Sequence, residues 1–206
     1  MRARRRQHVN PLGLGHARRR APAPIIPDGC PLEIEIGCAD AQFLFERAAR
    51  EPRHFYVGVE IRHQMVDVVN RRAASTALPV QAVFGHANLH LESLFPGAGA
   101  ARVFVNFPDP WFKRRHRKRR LVDSELARSI AAILAPGGEL LVQTDVWAVA
   151  LDAMAVLDGL DDLYRNAAGA WSFWKGCHPY GARSWREAHC EEAGLPIWRL
   201  LYRRAD

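Results

Sequence analysis

Short apolar runs alternate with amphipathic segments along most of this chain, and no other feature of the sequence limits the fold as much. The apolar runs are typical of strands, and the segments between them have the three- and four-residue apolar spacing of helices. Strands are predicted at 32–36, 55–60, 80–85, 101–107 and 139–144, with a last one at 196–203. Helices are predicted after a capping Asp40 and at 61–77, 89–94, 123–134 and 146–157. This order predicts an α/β fold built on a doubly wound, mostly parallel sheet.

Positive charge is concentrated in two short segments of a chain whose net charge is +7. Residues 1–20 contain seven arginines and no acid, and residues 113–120 contain seven more lysines and arginines. The rest of the chain has 15 bases against 22 acids. Such segregation is typical of a protein that binds a polyanion, for example a nucleic acid. The alternative is that the two segments are solvated surface.

The first 31 residues are rich in Arg, Pro and Gly and show little periodicity. We predict a flexible basic arm over 1–31 and one domain over 32–206. No apolar stretch approaches the roughly 20 residues of a membrane span, and we expect a cytoplasmic protein with no membrane partner. The four cysteines are expected to be reduced thiols, and their spacing matches no zinc module, so no metal is predicted. Both a monomer and a homodimer remain open.

Polar residues and a glycine follow the predicted strands, where ligands bind in a doubly wound sheet. They are Glu35, Gly37, Glu60, His86 and Asp145. Gly37 permits a sharp turn, but the segment 37–41 lacks the GxGxxG pattern, which disfavours a dinucleotide. S-adenosylmethionine (SAM) needs no such anion site. Glu60 is placed to accept hydrogen bonds from its ribose, and Glu35 to favour its cationic part. The alternative for Glu60 is a solvent-exposed acid at a strand end.

The segment Asn106–Trp111 reads NFPDPW and is the most specific motif of the chain. Two prolines fix the backbone on both sides of Asp109 and hold one carboxylate at the edge of the sheet. Trp111 supplies a rigid apolar plane that packs around the site or against a base. A tight turn with a packed Trp would explain the prolines. It would not explain the seven bases at 113–120, which place phosphate contacts beside the carboxylate.

The stretch NFPDPWFKRRHRKRRL closely resembles the corresponding motif of the bacterial tRNA (guanine-N7)-methyltransferases. Supporting segments are RQHVNPL, LEIEIGCADAQFL, VGVEIR, PGGELLVQTD and SWRE, so the resemblance covers residues 6–204 in family order. It implies a Rossmann-like, seven-stranded, SAM-dependent enzyme with an antiparallel C-terminal strand. It also implies methylation of N7 of the variable-loop guanine, position 46, of tRNA.

The resemblance also implies roles for individual residues. Asp109 matches the catalytic acid. Glu35 and Glu60 match the family's SAM-binding acids, and Asp109 also lies at the SAM site. The other two expected SAM-binding positions are Gly37, to which the family's glycine loop is reduced here, and His86. The tRNA-binding positions are Lys113, Arg115, His116, Arg117, Lys118, Arg119, Arg120, Asp145, Ser184 and Glu187. This chain has His86 where the family usually has Asp or Asn, and Ser184 where the family has Thr.

Guanine N7 carries an in-plane lone pair and no proton, so its methylation needs positioning and electrostatics but no general base. Asp109 would stabilise the positive charge of the product or accept a hydrogen bond from the guanine edge. Three alternatives remain. They are an amino-group methyltransferase of DNA or RNA, a small-molecule methyltransferase, and a non-catalytic RNA-binding protein. The acid between the prolines disfavours the first, the clustered bases disfavour the second, and SAM binding would argue against the third.

Overall fold

The computed structural model describes residues 22–97, 99–113, 115 and 119–206. Seven strands lie in this part of the chain: β1 (Leu32–Ile36), β2 (Phe55–Glu60), β3 (Val80–Phe84), β4 (Ala100–Asn106), β5 (Leu134–Thr144), β6 (Tyr164–Asn166) and β7 (Trp198–Arg204). It also contains six helices: α1 (Gln42–Arg50), α2 (His63–Thr76), α3 (Ala87–Leu94), α4 (Ser124–Ile133), α5 (Trp147–Asp158) and α6 (Trp185–Glu192). Most of the predicted arm lies outside the described residues, so the division into arm and domain stays a prediction.

The strands form one sheet with the order β3-β2-β1-β4-β5-β7-β6. The first five strands are parallel, and β7 runs antiparallel to both β5 and β6. The predicted fold class, including the antiparallel C-terminal strand, is therefore confirmed. The strand order reverses between β1 and β4, so the switch point where ligands bind lies at the carboxyl ends of these two strands.

Strand β1 is buried along its whole length, including its two acidic residues, Glu33 and Glu35. Because side chains alternate along a strand, Glu33 and Glu35 lie on the same face. A buried carboxylate needs partners, and Glu33 accepts hydrogen bonds from Arg47 Nη2 at 2.6 Å and from Arg102 Nη1 at 2.7 Å. Glu35 lies two residues closer to the carboxyl edge, where its surroundings are different.

The start of α1 differs from the prediction that Asp40 caps it. The N-cap residue is Ala41, in the left-handed conformation with φ 54°, and no side chain caps the helix. Asp40 Oδ1 accepts a hydrogen bond from the N–H of Gln42 at 3.3 Å. Gln42 is the first helical residue, whereas a capping side chain accepts from the second or third. The predicted start of α4 is confirmed, since Asp123 Oδ1 accepts from the Leu126 N–H at 2.8 Å.

The segment Pro136-Gly137-Gly138 lies between the predicted helix at 123–134 and the predicted strand at 139–144, and in the structure it belongs to β5. Leu134 pairs with Ala100 of β4, and the register then shifts between Ala100 and Arg102. A Cβ on Gly138 would lie 2.9 Å from the carbonyl oxygen of Ala100, so glycine permits this close approach. Elements β6 and α6 were not predicted. Within the described residues no helix is long and apolar enough to cross a membrane.

Candidate active site

A row of hydrogen-bonded polar side chains crosses the carboxyl edge of β1, β4 and β5. Asn106 Nδ2 donates to Glu35 Oε1 at 2.7 Å, and Gln143 Nε2 donates to Asn106 Oδ1 at 3.0 Å. Gln143 Nε2 also donates to Glu187 Oε2 on α6 at 2.9 Å. Arg199 on β7 completes the row, because its Nη2 donates to Glu187 Oε1 at 2.6 Å and its Nε to Gln143 Oε1 at 3.2 Å. Side chains from five elements therefore fix one another at the switch point.

Glu35 is the end of this row that faces the β1–α1 turn. Its Oε2 atom is buried and has no hydrogen-bond partner among the described residues. Burial raises the pKa of Glu35 to about 8, against a smaller lowering by Asn106, and the nearby Asp40 and Glu60 raise it further. A ligand that carries a positive charge would favour the ionised form of this carboxyl, whose Oε2 would then accept a hydrogen bond from the ligand.

The raised pKa of Glu35 makes the free energy of unfolding depend on pH. A neutral side chain at this position would remove that dependence. The folded state holds this proton up to about pH 8, whereas the unfolded chain releases it near the ordinary pKa of about 4.5. Between these values the folded state binds more protons, so its free energy of unfolding falls as pH rises. We expect the variant Glu35→Gln to gain stability relative to the wild type by up to about 1.4 kcal/mol per pH unit in this window. Urea denaturation of both proteins from pH 5 to 9 measures the difference, and a pH-independent difference would show that Glu35 ionises normally.

Backbone amides and Glu60 shape the turn between β1 and α1. The amides of Gly37 and Cys38 donate to the carbonyl of Val59 at 2.8 and 3.3 Å, and the Ala39 amide donates to Glu60 Oε2 at 3.0 Å. Gly37 has φ 76°, and a Cβ built there would meet nothing within 4 Å. The turn therefore faces open space, and glycine relieves the backbone strain at this position.

Glu60 is buried, and both of its oxygens accept hydrogen bonds from Arg62. The Arg62 Nε donates to Oε1 at 2.9 Å and its Nη2 donates to Oε2 at 2.8 Å. This contact raises the pKa of Arg62, and the charge of Asp109 adds to the effect. The charge of Asp109 is thus close enough to Arg62 to affect its pKa, so the structure brings Glu60 and Asp109 to the same edge of the sheet.

His86 follows β3 and is the N-cap residue of α3. Its side chain is buried, and its backbone N–H donates to His90 Nδ1 at 3.2 Å. The residue therefore lies at a strand end, as predicted. A contact between its ring and a ligand stays a prediction.

The NFPDPW segment is anchored at both of its ends. At the start, the Phe107 N–H donates to the carbonyl of Gln143 at 2.7 Å, and Phe107 has φ 48°. At the far end, Arg120 Nε donates to the carbonyl of Pro110 at 3.1 Å. Arg120 also donates to the Ala148 carbonyl at 2.8 Å and pairs with Asp152 on α5. The half-buried Asp109 is thus held between two fixed points.

The predicted RNA-contacting stretch is only partly described. Lys113 and Arg115 are exposed, and the Arg119 guanidinium lies 5.1 Å from the centre of the Trp111 ring. Arg120 binds the carbonyls of Pro110 and Ala148 and pairs with Asp152, as described above. His116, Arg117 and Lys118 lie outside the described residues, so their predicted contacts with tRNA have no structural counterpart here.

The C-terminal motif Ser184–Glu187 begins α6. Ser184 is the N-cap residue, and its Oγ accepts from the Glu187 N–H at 3.1 Å. The Glu187 side chain is fully buried in the row described above. Asp145, at the end of β5, pairs with Arg186 of the same helix. The motif therefore attaches α6 to the site, and direct contacts of these residues with a substrate stay predictions.

Comparisons with known proteins agree with this geometry. A family model described as "Putative methyltransferase" matches residues 30–200. A tRNA (guanine-N(7)-)-methyltransferase of Synechococcus sp. (strain WH7803) is 41% identical over an alignment of 207 positions, which covers 97% of this chain and 87% of that protein. The chain belongs to the tRNA (guanine-N7)-methyltransferase family. The equally named protein of Parasynechococcus marenigrum (strain WH8102) is 38% identical with the same coverage.

The solved structures support the fold of this tRNA (guanine-N7)-methyltransferase family member. The 16S rRNA methyltransferase KamB matches it with a TM-score of 0.57 and 14% identity, over 91% of this chain and 100% of that chain. At this identity the likeness concerns the fold alone. The family resemblance expected from the sequence is confirmed, and the chain is an enzyme of the methyltransferase class.

Sequence reasoning missed three members of the site of this methyltransferase. Gln143 stands next to the last residue of β5, so the strand-end rule that selected Glu35 would also have selected it. Arg62 follows Glu60 by two residues, but its sequence gives no sign that it turns back onto that acid. Arg199 lies inside an apolar run, and only the tertiary fold brings it to Glu187.

Proposed function

We propose that this enzyme transfers a methyl group from SAM to N7 of the guanine at position 46 in the variable loop of tRNA. The observation that carries the proposal is the buried Glu35 oxygen without a protein partner, at the switch point and beside the fixed Asp109 segment. The names of the relatives support the base and the RNA class. A tRNA substrate also agrees with the expected cytoplasmic location.

The edge of β1 fits a cationic nucleoside ligand. Glu35 Oε2 is buried without a protein partner and, once a cationic ligand favours ionisation of the carboxyl, accepts a hydrogen bond from it. The Gly37 turn leaves room for a ligand against the backbone. Glu60 is our candidate acceptor for the ribose hydroxyls. A carboxylate has about four acceptor positions, and in this structure Ala39 and Arg62 fill those of Glu60. We therefore propose that Arg62 releases at least one Glu60 oxygen when the ribose binds.

The tRNA would lie across the segment that follows Asp109. Lys113 and Arg115 are exposed cations next to the motif, and we propose that they contact phosphates together with the basic residues at 116–119. Asp145 follows β5, and Ser184 is the N-cap residue of α6. The Asp145–Arg186 pair brings these two elements together. We propose that both residues belong to the substrate side of the site. Buried Glu187 would hold α6 in place through its hydrogen bonds with Gln143 and Arg199.

The proposed reaction requires no general base, because the attacking nitrogen carries no proton. SAM, when bound, supplies an electrophilic methyl group, and guanine N7 offers a lone pair without a proton. The methylated base is cationic, so a carboxylate fixed next to it stabilises the charge as it develops. We assign this role to Asp109, and the two prolines and the Arg120–Pro110 hydrogen bond that restrict its backbone support the assignment. Asp109 also offers an acceptor for the N1–H or amino group of the guanine.

Methyl transfer from radiolabelled SAM to an unmodified tRNA transcript tests the proposal. We expect incorporation into tRNA and none into a transcript in which the variable-loop guanine is replaced by adenine. SAM binding without any transfer to tRNA would refute the substrate assignment. Absence of SAM binding would refute the donor assignment.

A further inference from the structure

An open groove of about 490 Å³ lies beside the end of the NFPDPW segment, and Trp111 of that segment lines it. One wall is a stripe of α5 at helical spacing, Ala148, Leu151 and Ala155. The opposite side is formed by aromatic side chains, Trp111, Phe112 and Trp171. Phe112 is 76% exposed and Trp171 is 65% exposed. The groove therefore presents large apolar side chains to solvent.

The sequence of α5 indicates that this face is normally covered. The helix reads WAVALDAMAVLD and is apolar on nearly all sides, which is typical of a helix enclosed by other elements. Only one side packs on the protein, through residues such as Val149, Ala153 and Leu157. Leu151 on the opposite side is 39% exposed. Contiguous exposed apolar surface of this kind marks an interaction site.

The charges around the groove favour a nucleic acid as its occupant. Exposed Lys113 follows Phe112 directly, and exposed Arg115 is three residues after it. The acid in the groove, Asp152, is neutralised by its pair with Arg120. A second copy of this chain fits less well, because a two-fold interface places the same patch on both sides and would bring two basic segments together. Aromatic rings next to cations are the arrangement that binds unstacked nucleobases.

We propose that this groove binds an unpaired nucleobase of the RNA substrate, stacked on the Phe112 and Trp171 side, with its phosphates at Lys113 and Arg115. The proposal rests on the proposed function for the identity of the RNA. It adds a second point of contact, outside the pocket for the reacting guanine. Such a contact would set the position of the tRNA relative to Asp109.

Equilibrium binding of tRNA by a series of Phe112 variants tests the groove. We expect Phe112→Leu to raise the Kd and KM for tRNA by about tenfold and Phe112→Trp to retain wild-type values, because stacking requires a ring. Trp171→Leu should act like Phe112→Leu. SAM affinity should be unchanged. The control is Leu195→Ala, since Leu195 is also an exposed apolar residue but does not line the groove.

The salt dependence separates stacking from charge. Loss of one phosphate contact, as in Lys113→Ala, lowers the slope of log Kd against log salt by about one, whereas loss of stacking leaves the slope unchanged. Wild-type tRNA affinity in Phe112→Leu and Trp171→Leu would overturn the inference. So would a wild-type dimer, seen by sedimentation, that Phe112→Leu converts to monomer. If the wild type methylates tRNA and these variants bind tRNA normally, only the proposed role of the groove is wrong. A wild type that methylates no tRNA would instead contradict the proposed function.

Discussion

Replacing Asp109 by asparagine is expected to lower kcat for methyl transfer by about 10²- to 10³-fold while the Kd for SAM and for tRNA changes little. The expected loss is that of one fixed electrostatic contact to a charge that develops in the transition state. The substitution keeps the shape of the side chain, and the anchoring of the segment by Arg120 and Pro110 does not involve the carboxylate. Single-turnover transfer from radiolabelled SAM, with both binding constants measured separately, gives the comparison.

The matched control for Asp109→Asn is Asp162→Asn, because Asp162 is an exposed acid away from the switch point. The control should have wild-type turnover and wild-type binding constants. Turnover within about threefold of wild type in Asp109→Asn would contradict the catalytic role of this carboxylate. A large rise in the Kd for SAM with unchanged kcat would instead assign Asp109 to ligand binding alone.

Replacing Glu187 by alanine is expected to lower the free energy of unfolding by about 3–5 kcal/mol. Glu187 is fully buried and accepts hydrogen bonds from Arg199 and Gln143. Its removal leaves the guanidinium of Arg199, itself buried, without its carboxylate partner. A buried charge without its counter-ion costs far more than the contact itself contributes. Urea denaturation followed by circular dichroism measures the change.

Helix α6 contains a control for this prediction. Glu191 pairs with Arg183 at 3.1 Å, but both side chains are exposed, at 42% and 57%. Glu191→Ala should therefore lower the free energy of unfolding far less than Glu187→Ala does. Equal effects of the two substitutions would contradict the account of the buried row. Because the row continues through Gln143 and Asn106 to Glu35, Glu187→Ala should also weaken SAM binding, which Glu191→Ala should leave intact.

Much of the fold could be predicted because the strands β1 to β5 are apolar runs separated by helices of regular periodicity. The three-residue strand β6 and the polar helix α6 have no such pattern. Their positions follow from pairing with β7 and from the burial of Glu187, which are tertiary effects. The glycines at 137 and 138 fall outside the predicted strand at 139–144, but the register shift between Ala100 and Arg102 allows them to belong to β5.

The candidate site was predictable where a single rule applied. Parallel strands place their carboxyl ends at one edge, so Glu35, Glu60 and Asp109 could be expected to lie close together. The sequence does not reveal the direction in which long side chains turn. Arg62 folds back onto Glu60, and Arg120 joins the Pro110 carbonyl to α5 instead of facing solvent. These contacts depend on distances between elements that are far apart in the chain.

Nucleoside analysis of methylated tRNA tests the central claim most directly. An unmodified tRNA transcript is incubated with the enzyme and SAM, digested to nucleosides and compared with a transcript that lacks the variable-loop guanine. We predict 7-methylguanosine in the first digest and none in the second. A methyl group on an exocyclic amine, or 7-methylguanosine that persists in the second digest, would contradict the account.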